Sequence, residues 1–96
     1  METPALRHDV NDSYGLDLPE AATINALETV LANRINTMIT ADFNRLISLL
    51  YRIDVSETKL KRLLRENPGA NAGPLIARLI LERQWQKIET RRKYRH

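Results

Sequence analysis

Cysteine is absent from the 96 residues, which excludes a disulfide framework, a thiolate metal site and a thiol nucleophile. Histidine occurs twice, at His8 and His96, and neither can be joined to a serine and an acid in a catalytic constellation. Glycine is scarce too, with three residues. The stretch NPGANAGP, residues 67–74, places prolines where a phosphate-cradling loop needs free N–H groups. Long hydrophobic runs are also missing: the longest, Leu75 to Leu81, is broken by Arg78 and falls far short of the roughly 20 apolar residues that span a bilayer. The opening METPALRHDV has neither the basic start nor the apolar run of a secretory signal. These absences predict a cytoplasmic protein that is not an enzyme, with no cofactor, no metal site, no small-molecule substrate and no membrane insertion.

What is present is an ordinary globular balance, 43% hydrophobic and 28% charged residues, enough to fold and, at this length, to close a single core. Charge is distributed unevenly. Residues 1–20 hold five acids and one base, whereas residues 83–96 hold six bases and one acid. Such polarity suits an anionic partner at the C-terminal end, or head-to-tail attraction within or between chains.

The pattern predicts an all-α fold, a bundle of about four helices spanning residues 20–39, 41–53, 57–66 and 74–92. Residues 1–18, with Pro4, Gly15 and three Asp, read as an irregular, mobile lead to a single helical domain over 19–96. From Pro19 onward, Ile24, Leu27, Leu31, Ile35 and Met38 recur at steps of three and four. Thr40 is the expected cap of the next helix, whose buried face is read as Phe43, Leu46, Ile47, Leu50 and Ile53. The connection is nearly absent, so the boundary is a kink or a very short turn. Ser56 caps a third helix with Leu60, Leu63 and Leu64 on its core side, and residues 66–74 form a loop.

The last helix has two apolar faces. Leu75, Ile76, Leu79 and Ile80 share one; Leu81, Trp85 and Ile88 lie nearly opposite at 100° per residue. In a small protein the second face is expected to meet another protein or a second copy, with Trp85 as anchor.

Two stretches resemble known motifs. DVNDSYGLDLPE, residues 9–20, resembles the calcium loop of the EF-hand family, with Asp9, Asn11, Ser13, Asp17 and Glu20 at the oxygen-ligand positions. It departs from that pattern at the sharp turn, where Tyr14 replaces glycine and Gly15 comes one place late. LLYRIDVSETKLKRLLR, residues 49–65, resembles the helix-turn-helix of bacterial regulators. That resemblance implies Thr58, Lys59, Lys61, Arg62 and Arg65 facing nucleic acid, with Asp54 in the turn position usually held by glycine and Leu50 where a small residue is usual. The basic end, with Lys87, Arg91, Arg92, Lys93 and Arg95 beside Trp85 and Tyr94, would add phosphate contacts and stacking. Finally, the run from INTMITADFNRLISLLYRIDVSE through LILERQWQKI resembles small all-helical bacterial proteins of uncharacterised function. That resemblance covers about two thirds of the chain and implies a helical fold only. The expected function is therefore a helical interaction module, with nucleic-acid binding as the alternative.

Overall fold

Local capping chemistry cuts the chain into five helices in the computed structural model, which describes residues 1–68 and 71–94. They are α1 (Thr3–Tyr14), α2 (Ile24–Ala41), α3 (Phe43–Ile53), α4 (Glu57–Glu66) and α5 (Ala72–Lys93). The predicted all-helical class holds, and the helix missing from the expectation is α1.

Residues 1–18 are not an irregular lead. Pro4 stands in the first turn of α1, where its missing N–H has no intrahelical acceptor to lose. Gly15 ends the helix in the left-handed conformation, φ 63° and ψ 33°, which glycine adopts without a Cβ clash. Both residues act as start and stop signals. Leu6 and Val10, one turn apart, are completely buried, as is Leu18, with Leu16 nearly so. Asn11 pins the following segment: its Oδ1 accepts from the Leu18 N–H at 2.7 Å while its Nδ2 donates to the Leu18 carbonyl at 3.0 Å.

That pin also explains why α2 begins later than predicted. The bonds to Asn11 engage Leu18, and the helix-starting cap is supplied only at Thr23, whose hydroxyl accepts from the Ala26 N–H at 3.1 Å. At the far end, α2 and α3 are separated by Asp42 alone. Its N–H donates to the Met38 carbonyl, closing α2, while its carboxylate accepts from the Arg45 N–H at 3.1 Å, opening α3. Asp42, not Thr40, is the cap. The Thr40 hydroxyl bonds back to the Asn36 and Thr37 carbonyls instead.

The entry to α4 follows the expectation. Asp54 takes φ 64° and ψ 49°, and the Ser56 hydroxyl accepts from the Lys59 N–H at 3.2 Å. The predicted loop at 66–74 is shorter than expected, because Asn71 caps α5 by accepting from the Gly73 N–H at 3.1 Å. Gly69 and Ala70, in that loop, lie outside the described residues.

The core is organised on α5, which packs along α2 and also receives α1, α3 and α4. Leu27, Leu31 and Ile35 of α2 meet Ile76, Ala77 and Ile80 of α5 in one cluster with Leu46, Leu49 and Ile53 of α3. Gly73 permits the close approach of α2 and α5: a Cβ there would stand 2.5 Å from the Asn36 Oδ1.

Candidate functional site

Three surfaces were marked by the sequence or left open by the fold. The first is the second face of α5. Leu81 and Ile88 are 1% and 5% exposed, and Trp85 is half-buried against the same core. Leu81, Trp85 and Ile88 therefore do not form a free interface. The cover that their stripe calls for is α1 of the same chain, with Leu6 and Val10 turned into the cluster.

A polar clamp accompanies this apolar contact. Gln84, 3% exposed, donates through Nε2 to the Asp9 carboxylate and accepts the Tyr14 hydroxyl at 2.8 Å. Lys87 donates to the Tyr14 oxygen at 3.3 Å, and Arg91 reaches Asp9 at 2.7 Å. Arg92 pairs with Glu2 while its guanidinium lies 5.4 Å from the centre of the Trp85 ring. The hydrogen bond from Arg92 holds the Glu2 carboxyl below its ordinary 4.5.

The acidic beginning of the chain thus lies on its basic end. Asp9 and Asn11, read as calcium-type ligands, spend their oxygens on Gln84, Arg91 and Leu18 instead. An open cleft of about 640 Å³ between α1 and the end of α5 is lined by His8, Asp9, Arg91, Arg92 and Tyr94. Its two guanidinium groups are already held by carboxylates, Arg91 by Asp9 of α1 and Arg92 by Glu2 just before it.

The second surface is α4. None of its residues is fully buried; Leu60 and Leu63 are half-buried and Leu64 is exposed. The helix packs against α5, and Lys59 is drawn toward Glu82 of α5 at 3.7 Å. At 100° per residue Thr58, Lys61, Arg62 and Arg65 share the side away from Leu60 and Leu63, and all four are exposed. Lys61 pairs with Glu57 at 2.9 Å, holding that carboxyl below its ordinary value through the hydrogen bond. Among the described residues Arg62 and Arg65 have no ion-pair partner.

The residues read as a nucleic-acid surface, on α4 and on the basic end, therefore do not form one surface. Thr58, Lys61, Arg62 and Arg65 form a continuous exposed patch; Arg91 and Arg92 belong to the contact with α1. Lys93 lies 5.6 Å from the Tyr94 ring centre, and Arg95 is outside the described residues.

The third surface was misassigned by the sequence reading. Phe43 and Ile47, expected in the core, are 49% and 51% exposed, and Tyr51 is 87% exposed. Leu46 and Ile53 are buried as expected, joined by Leu49, which the expected face left out. The apolar arc from Leu49 round to Tyr51 covers about 200° of the helix at 100° per residue. The packed neighbours of α3 cover only part of that arc. Phe43, Ile47 and Tyr51 follow one another at four-residue steps on the open part, and Ile39, 36% exposed, precedes them by the same step at the end of α2.

No family model, no curated protein and no solved structure matches this chain. The functional reading therefore stands on these surfaces alone.

Proposed function

We propose that this protein is a small, non-catalytic helical interaction module whose contact face is the open apolar arc of α3, centred on Ile47 and flanked by Phe43 and Tyr51. The observation that carries this reading is the exposure of three large apolar side chains in register on one helix. With about 200 Å² for a large aromatic side chain, Phe43 and Tyr51 alone leave roughly 270 Å² in water. Ile47 brings the patch to on the order of 400 Å², the size at which a surface patch is often an interaction site. Large rigid aromatics at the ends of such a stripe are efficient anchors, because little side-chain freedom is lost on contact.

The test compares a surface substitution with a core one on the same helix. Ile47→Asp should keep the helical circular dichroism and change unfolding free energy by less than about 0.5 kcal/mol. Leu49→Ala should cost about 2–5 kcal/mol. If Ile47→Asp destabilises the fold as much as Leu49→Ala does, α3 is not an open contact face.

A second reading has its own observation. Thr58, Lys61, Arg62 and Arg65 lie together on the outer side of a helix entered through a tight turn, an arrangement suited to phosphate contacts on nucleic acid. Binding of a mixed-sequence duplex should weaken steeply with salt, and the slope should fall by about 1 for each phosphate-contacting base removed. If Arg62→Gln with Arg65→Gln leaves the salt slope unchanged, α4 does not contact the nucleic acid.

A further inference from the structure

We infer that the occupant of the α3 face is a second copy of this chain, packed antiparallel about a two-fold axis through Ile47. This rests on the reading of α3 as a contact face and adds to it the partner and the register.

The stripe has internal symmetry. Ile47 stands near the middle of the eleven-residue helix, with an aromatic four residues before it and another four residues after. A two-fold axis through Ile47 sets Ile47 against its own copy and Phe43 against the partner's Tyr51 at both ends. Every contact in such an isologous pairing is made twice by the same patch. Aromatic side chains then meet aromatic side chains, a pairing that contributes beyond the area it buries.

The charge pattern permits this pairing. At 100° per residue Asn44 and Ser48 border the stripe on one side and Leu50 and Leu46 on the other. Both basic residues of α3, Arg45 and Arg52, fall on the far side of the helix. Arg52 is turned back onto its own chain, donating to the Ser13 carbonyl at 2.9 Å with its guanidinium 5.4 Å from the Tyr14 ring centre. Neither basic residue of α3 is therefore carried into the contact, where a buried charge or an opposed like charge would cost affinity.

Area sets the expected strength. A patch on the order of 400 Å² from each copy gives a total of about 800 Å², below the usual 1,200–2,000 Å² of stable specific complexes. The dimer is accordingly weak and concentration-dependent.

Because the chain has no cysteine, single introduced cysteines report the register without background. Three full-length variants, Ile47→Cys, Phe43→Cys and Tyr51→Cys, are mildly oxidised at high concentration, with Arg45→Cys on the opposite side as control. Ile47→Cys should give a disulfide-linked dimer at least tenfold faster than Arg45→Cys. Phe43→Cys mixed with Tyr51→Cys should link preferentially as the mixed pair. Self-linking of Phe43→Cys in place of the mixed pair overturns the antiparallel register. Equal rates for Ile47→Cys and Arg45→Cys, or a molar mass that stays monomeric at millimolar concentration, overturn the second copy. Neither result touches the contact-face reading, which fails separately if Ile47→Asp behaves as a core substitution.

Discussion

Single side chains decide how closely the helices approach and what locks them. Gly73 is buried with its missing Cβ directed at the Asn36 amide. Gly73→Ala therefore gains helix propensity, about 1 kcal/mol, and loses it again by crowding Asn36. Combining Gly73→Ala with Asn36→Ala should release the gain, with a coupling of about 0.5–3 kcal/mol in a double-mutant cycle read by urea unfolding. Additivity of the two would show that the close approach carries no strain. Gln84 is the other telling residue, buried and bonded to both Asp9 and Tyr14. Gln84→Leu should lower stability by about 1–3 kcal/mol, because two partly buried polar groups lose a partner. Residues with strong local chemistry were legible in the sequence: Ser56 caps α4 as expected, and Asp54 accepts the left-handed turn. Gln84 was not legible, since its role is set by residues about 70 positions away.

At the scale of elements, α1 is the lesson. Its large apolar side chains are Leu6, Val10 and the half-buried Tyr14 on one narrow stripe, too little to mark a helix by periodicity. Its attachment to α5 supplies what the pattern lacks, and it covers the Leu81, Trp85 and Ile88 face. A correct reading of that face as needing a partner thus led to the wrong partner. The opposite error was made on α3. On a helix with an apolar arc of about 200°, Phe43 and Ile47 were read into the core, although so small a bundle offers too few neighbours to enclose the whole arc. Leu6→Ala should cost about 2–5 kcal/mol and shift the emission of Trp85, the only tryptophan, to the red. Acid should loosen the same contact. The depressed folded pKa of Glu2 means that its ion pair with Arg92 stabilises the docked helix fully above the ordinary carboxylate value of 4.5. That contribution is lost as pH falls through the folded value. Trp85 emission followed from pH 6 to pH 2 should therefore show a transition that moves when Glu2 is replaced by Gln. An identical acid transition in Glu2→Gln would assign the effect to other carboxylates.

Across the whole molecule, the uneven charge of the sequence turns inward. Glu2 and Asp9 pair with Arg92 and Arg91 at the end of α5, so much of the basic end is spent within the chain. Among the described residues, Phe43, Ile47 and Tyr51 leave an exposed apolar stripe on α3, and Arg62 and Arg65 leave unpaired positive charge on α4. Neither could be located from periodicity alone, because periodicity gives the faces of a helix but not which face finds a neighbour. In the described residues no helix is long and apolar enough to cross a membrane. The molecule presents instead one apolar and one basic face on consecutive helices, joined through the turn at Asp54. The measurement that tests the account most directly is the molar mass in solution by light scattering over a wide concentration range, for the wild type and for Ile47→Asp. The account predicts that the wild type rises from 11.1 kDa toward twice that mass while Ile47→Asp, equally helical, stays at the monomer mass. Equal mass curves for two folded proteins would contradict it.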